Sequence, residues 1–235
     1  MVGIGKSMGR PPARRRQRWA AGRRAVLIAG FAWGVTLVPV LSLGAGPPPS
    51  VPLTPQDTAD LQRVAAYLNG VRTMYARFQQ FSSGGTVTGQ LWMARPGRMR
   101  FEYDPPSPIL LLADMFYVYY VDKELAEMSK VGLKSTPAWL LLRDPITFND
   151  LVVTQFDRSA NAFRISVVEK AEPDSGALTM VFSDHPLALR QWTIVDQQRK
   201  ATTVSLSDAQ FGMALDPKLF VYQDPYGASR RQHEP

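Results

Sequence analysis

Acid–base, nucleophilic or metal chemistry needs particular side chains brought together, and this chain offers few of them. It has two histidines, His185 beside Pro186 and His233 near the C-terminus, and no cysteine. Two histidines so placed supply neither a triad nor a metal cluster. Without thiols there are no disulfides, thiolate metal sites, thiol nucleophiles or lipid-acceptor cysteine. Carboxylates do come in close pairs, Asp122 with Glu124 and Glu124 with Glu127, the residue types a glycosidase uses as acid and base. They fall in a polar turn after a strand, where a solvated surface accounts for them. No GxSxG elbow, HExxH pair, phosphate-binding loop or dinucleotide fingerprint occurs. The sequence therefore predicts no catalytic site, no metal site and no cofactor; the alternative of an envelope hydrolase with dispersed carboxylates has no motif behind it.

A different kind of residue stands out by its position. Thr86 to Arg95 alternates, with Val87, Gly89, Leu91 and Met93 on one face and Thr88, Gln90, Trp92 and Ala94 on the other. Arg95 thus continues the apolar row, a permanent cation at the end of a dry face. From the sequence alone, such a side chain is expected to snorkel to the rim. Met93, Met99 and Met115 lie close by in sequence, and methionine conforms to varied shapes, in a binding surface or in an ordinary core.

The elements that must position these residues follow from period and punctuation. Thr54, Pro55 and Asp57 supply an N-cap, a first-turn proline and an early carboxylate, and Leu61, Val64, Leu68 and Val71 form one apolar stripe, so a helix runs to about Asn69–Gly70. Pro96–Gly97 turns the alternating strand back on itself. Met99, Phe101 and Tyr103 then face one way while Arg98, Arg100 and Glu102 face the other, an antiparallel hairpin with one dry side. Ile109 to Ala113 and Phe116 to Val121 read as two further strands joined around Asp114 and Met115. Thr136 and Pro137 signal a second, short helix through Ala138, Trp139 and Leu140 to Leu142, apolar almost all round and in need of a cover. Five more strands are predicted at 149–156, 162–169, 177–183, 189–196 and 201–207. Nine or ten short strands and two helices with apolar faces imply a mainly β, α+β fold: an antiparallel sheet that curls, with helices on one side.

Charge divides the chain. The first 24 residues carry eight Lys and Arg and no acid, and Ala25 to Leu43 carries no charge at all. This is the layout of an export signal with a cut after Gly44, so residues 1–44 are read as a signal peptide and the protein as exported from the cytoplasm; an uncleaved anchor is the alternative, and the export route stays open. Removing those eight from 27 Lys and Arg leaves 19 against 20 Asp and Glu, a net charge near −1 for the remainder. No nucleic-acid role is expected of such a surface. Proline-rich residues 45–56 read as a linker and 226–235 as a loose tail.

The stretch from Phe78 to Leu142 resembles the LolA family of periplasmic lipoprotein carriers. Phe78, Gln79 or Gln80, Gly89, Leu91, Trp92, Arg95, Pro96, Gly97, Met99, Phe101, Tyr103 and Pro106 carry the resemblance, with Thr136, Pro137 and Leu140 to Leu142 matching the family's lid helix. Trp192, Asp196, Phe211, Phe220, Asp224 and Pro225 match its C-terminal strands more weakly. One departure is Met115, where the family usually has a turn glycine after the aspartate.

The resemblance implies an unclosed β-barrel over residues 57–225 that holds the acyl chains of lipoproteins in an apolar cavity under helical lids. Leu91, Met93, Met99, Phe101, Tyr103, Leu110 and Leu112 would line the cavity, Trp139 and Leu140 the lid, and Arg95 would hold the lid shut when no cargo is bound. It further implies a monomer that takes acylated lipoproteins from an ATP-driven inner-membrane extractor (LolCDE-like) and passes them to an outer-membrane acceptor (LolB-like) or directly to the membrane. A periplasmic lipid- or lipoprotein-sensing scaffold of the same fold is the alternative.

Overall fold

The computed structural model describes residues 50–222. The predicted signal peptide, residues 45–49 of the linker, Asp224, Pro225 and the tail with His233 lie outside the described residues. Thirteen elements follow one another: α1 (Pro55–Gly70), β1 (Thr73–Ser82), β2 (Gly85–Ala94), β3 (Arg98–Tyr103), β4 (Ile109–Asp114), β5 (Tyr117–Asp122), β6 (Glu127–Gly132), α2 (Trp139–Leu142), β7 (Leu151–Arg158), β8 (Ala162–Glu169), β9 (Ala177–Ser183), β10 (Ala188–Val195) and β11 (Ala201–Phe211).

All eleven strands form one antiparallel sheet in the order β6-β5-β4-β3-β2-β1-β11-β10-β9-β8-β7. Pairing of β1 with β11 joins the two halves at the middle, and among the described residues no further strand pairs with the outer edges of β6 and β7, so the barrel does not close. Directly opposed residues share a face, and three rows of partners define the inner one. They are Ala76, Leu91, Phe101 and Leu111; Met74, Met93, Met99 and Ala113; and Phe78, Gly89 and Tyr103. Across the seam the same face continues through Val204, Trp192, Met180 and Ile165. The main core lies against this face and takes in Leu61, Val64 and Leu68 of α1 and Leu140, Leu141 and Leu142 of α2.

The entry to α1 is a capping box: the Thr54 hydroxyl accepts from Asp57 N at 3.1 Å while the Asp57 carboxylate accepts from Thr54 N at 3.0 Å. The second helix begins differently from its sequence signal. Trp139–Leu142 has Ala138 at its N-cap with no side-chain cap, because the Thr136 hydroxyl turns back to donate to Leu133 O at 2.8 Å and closes a preceding turn of 3₁₀ helix.

Two strands escape the sequence reading. β1 does alternate, with Met74, Ala76 and Phe78 buried, but Arg77, Gln79 and Gln80 dilute its pattern. β6 is exposed along nearly its whole length and has no dry face to betray it. Asp122 and Glu124 serve the turn before it, with Asp122 Oδ1 accepting from Glu124 N and Leu125 N at 3.0 Å each. At the other end of that hairpin Met115 takes the left-handed conformation that a glycine would adopt freely, at φ 86°. Asp114 Oδ1 stabilises the turn by accepting from Phe116 N and Tyr117 N.

Among the described residues, one carboxylate is sealed inside. The Asp60 side chain of α1 is fully buried and is bound by Arg158 of β7, by Arg63 at 2.6 Å and by Gln56 at 3.3 Å. Arg63 continues to Asp184 at 2.9 Å, so the N-terminal half of the helix is fixed to both β7 and the β9–β10 turn. Burial opposes the charge on Asp60, but the arginine hydrogen bonds outweigh it and hold its pKa below the usual carboxylate value. A folded-state pKa below the unfolded one contributes stability that is present above the unfolded value and lost as pH falls through the folded one. Asp60→Asn should therefore lower stability at neutral pH by about 2 kcal/mol and flatten the decline in melting temperature below the ordinary Asp range. A parent and variant with parallel pH profiles of melting temperature would contradict this.

Candidate functional site: a lid seam bolted by one arginine

The C-terminus of a helix leaves carbonyls without intrahelical partners and carries the negative end of the helix dipole. In α1 those carbonyls meet Arg95. Its guanidinium donates through Nη1 to Leu68 O and to Val71 O at 3.4 Å, and through Nη2 to Asn69 Oδ1 at 3.4 Å and Arg143 O at 2.6 Å. Leu68 and Asn69 belong to the end of α1, Val71 caps it, and Arg143 directly follows α2. A side chain rooted at the end of β2 thus ties both helices to the sheet and to each other. It does not snorkel: only 1% of the Arg95 side chain is exposed. Burial pushes its pKa down, and Asp144, whose carboxylate lies 3.8 Å away, pushes the other way.

Three neighbours reinforce the seam. Asn69 grips the backbone of Ile146 at both ends of its amide, accepting from Ile146 N at 2.8 Å and donating to Ile146 O at 2.9 Å. Arg72 donates to Asp144 at 2.5 Å. Arg143 turns away from Arg95 to Asp150 and Thr147 O, which folds the segment after α2 onto itself. The Asp150 carboxyl is held below its usual range by that arginine. The turn between β2 and β3 joins as well, Gly97 N donating to Leu142 O at 2.9 Å.

Under the seam lies an almost wholly apolar void of about 20 Å³, lined by Leu68, Met74, Met93, Met99, Leu141 and Trp192 among others. That is room for about one water molecule. The lids themselves fill the space beneath them. Three methionines meet here, and beyond them Phe101 touches Phe78 edge-on with ring centroids at 4.9 Å and Trp192 at 6.4 Å.

The residues singled out in the sequence divide into two groups. Leu91, Met93, Met99, Phe101 and Tyr103 share the inner face, as their alternation implies. Tyr103 is half-buried, its hydroxyl donating to Gln80 at 2.7 Å, and burial pushes its pKa to about 12. Leu140 is buried in the core, and Trp139 packs half-buried against it. Leu110 and Leu112 are placed elsewhere and are corrected here. They pair with Glu102 and Arg100, residues of the outer face, and are buried there as β3 and β4 pass beneath the turn Pro217–Phe220. Their inner-face neighbours in β4 are Leu111 and Ala113. β4 is an unbroken apolar run, covered on both sides, and such a run carries no alternation from which to choose a face.

Asn69, Arg143, Met74 and Leu68 join the site without having been singled out for it. An asparagine at the end of a helix was legible as a stop signal; its grip on a residue 77 positions away was not. Asn69→Ala removes both bonds to Ile146, together worth roughly 1–3 kcal/mol. It should speed amide exchange over residues 139–146 by about tenfold while leaving β8 and β9 unchanged. Equal exchange in parent and variant would show that the seam does not depend on this clamp.

Comparison with known proteins places this architecture. The family model described as "Outer membrane lipoprotein carrier protein LolA" matches residues 69–223. An outer-membrane lipoprotein carrier protein of Pseudomonas aeruginosa is 28% identical over 181 residues, spanning 73% of this chain and 86% of the relative. One of Chromohalobacter salexigens is 28% identical over 213 residues, spanning 84% and 95%. A solved structure of a LolA superfamily protein from Nitrosomonas europaea aligns with 69% of this chain and 97% of its own at 7% identity and a TM-score of 0.41. The match covers α1's end, the whole sheet, both sides of the seam and Arg95 itself, and the chain belongs to the LolA family.

Proposed function

We propose that this protein is a periplasmic carrier that takes up the acyl chains of lipoproteins beneath its lids and ferries them from the inner to the outer membrane. The observation that carries the proposal is the Arg95 bolt: one buried cation closes two apolar lids over a methionine-lined seam. A catalytic role has no comparable support. Export through the leader of residues 1–44, uptake from an ATP-driven extractor of the LolCDE kind and delivery to a LolB-like acceptor or to the membrane itself belong to this reading, which rests on the family relationship.

Magnitudes make such a device workable. A sixteen-carbon acyl chain resists transfer to water by about 12 kcal/mol, at roughly 0.8 kcal/mol per methylene. Swinging α2 and the C-terminal half of α1 aside exposes Val64, Leu68 and Leu140 to Leu142, at roughly 2 kcal/mol each, so the two terms are of similar size. With those terms near cancellation, the hydrogen bonds of Arg95 decide the position of the equilibrium. Loading becomes reversible, as a carrier requires.

Arg95→Leu should then bind a triacylated lipopeptide at least as tightly as the parent and release it to acceptor membranes several-fold more slowly. A reconstituted transfer assay reads both steps. Delivery at the parental rate would remove Arg95 from lid control, and failure of the parent to bind acyl chains at all would remove the carrier reading.

A further inference from the structure

Phe116 is the most exposed large apolar residue among those described, at 71%, and the turn that carries it is built to hold it out. Met115 occupies the left-handed region, and Asp114 Oδ1 binds the N–H groups of both Phe116 and Tyr117. Tyr117 and Val131 flank the tip, themselves 42% and 53% exposed. Around them stand cations. Lys130 lies over the Tyr117 ring at 4.6 Å, Lys134 over the Trp139 ring at 5.5 Å, and Arg98 reaches Met115 Sδ at 3.5 Å. The acid at this end, Asp114, is engaged in the turn and by the Tyr119 hydroxyl at 2.7 Å. The opposite end of the same hairpin has the reverse character: Leu125 is exposed there among Asp122, Glu124 and Glu127, with Lys123 the lone base.

We propose that the tip formed by Phe116, Tyr117 and Val131, ringed by Lys130, Lys134 and Arg98, docks the protein on the interface of an anionic lipid bilayer, beside the lid seam. The inference rests on the carrier reading and adds where that carrier touches a membrane. Aromatic rings at the headgroup level with lysines alongside are the composition of a membrane interface, and cations near the surface are drawn to anionic lipid. A protruding tip of three apolar side chains is too small for a stable protein interface or a second copy of the chain, but it fits a deformable surface. Its location suits the task. Leu133 N donates to Phe116 O at 2.8 Å and Met115 N to Gly97 O at 2.9 Å, while Gly97 N reaches Leu142 O, so backbone bonds run from the tip to the lid. Contact with lipid at Phe116 would put the bilayer next to the place where acyl chains leave.

The absence of cysteine allows a direct test with the full chain. Phe116→Cys and Leu125→Cys are each labelled with an environment-sensitive nitrobenzoxadiazole dye and mixed with vesicles of phosphatidylglycerol and phosphatidylethanolamine or of phosphatidylcholine alone. The label at 116 should blue-shift and brighten several-fold on the anionic vesicles only, the label at 125 should not, and Lys130→Glu with Lys134→Glu should abolish the response. No change at 116, an equal change at 125, or a change that follows protein concentration or an added acceptor protein without vesicles would overturn the proposal. Lipopeptide loading measured on the same samples keeps the two readings apart: loading without a response at 116 removes the membrane tip alone, and absence of loading removes the carrier.

Discussion

A single buried guanidinium organises the site. The carbonyls at the end of α1 need donors, a cation in an apolar interior needs acceptors, and Arg95 meets both needs at once through Leu68 O, Val71 O, Asn69 and Arg143 O. Its partners lie at the C-terminal end of α1 and just after α2, so one side chain joins the two lids at the place where they meet. The cation therefore gives direction to packing that hydrophobic burial alone leaves loosely specified. Permanently charged and planar, arginine suits this role as lysine would not, because several acceptors at different angles are served by one side chain.

The two ends of α1 are held by different means. Asp60 and Arg63 fix its N-terminal half to Arg158 and Asp184 through opposed charges, whereas its C-terminal end is held by hydrogen bonds to carbonyls and an amide. The seam, with its three methionines and a void of only about 20 Å³, sits at the second end. The sheet supplies a stable curved wall, its two halves joined by β1 and β11, and leaves the space under the lids to be filled either by lid leucines or by a guest of equal apolar character.

Much of this was legible in the residues. Thr54, Pro55 and Asp57 marked the start of α1, and the alternation of β2 and β3 assigned Leu91, Met93, Met99, Phe101 and Tyr103 to one face. Local signals suffice there because each is a property of neighbours in sequence. Leu110 and Leu112 were misplaced because β4 is covered on both sides, its outer face by the turn Pro217–Phe220, which is distant in sequence. β6 lacks any buried face, and Asn69 and Arg143 act through partners that only the fold brings near. Arg95 was visible as an anomaly on a dry row. Whether it turned to water or to carbonyls depended on where two helices ended.

The central claim is that the lids occupy the space a cargo takes. Cysteines placed at Ala66 on α1 and at Pro145 beyond α2, both exposed, accept nitroxide labels, and their separation can be measured by electron paramagnetic resonance with and without a triacylated lipopeptide. The account predicts one short distance in the free protein and a longer one when lipopeptide is bound. Bound lipopeptide with the short distance unchanged would contradict it.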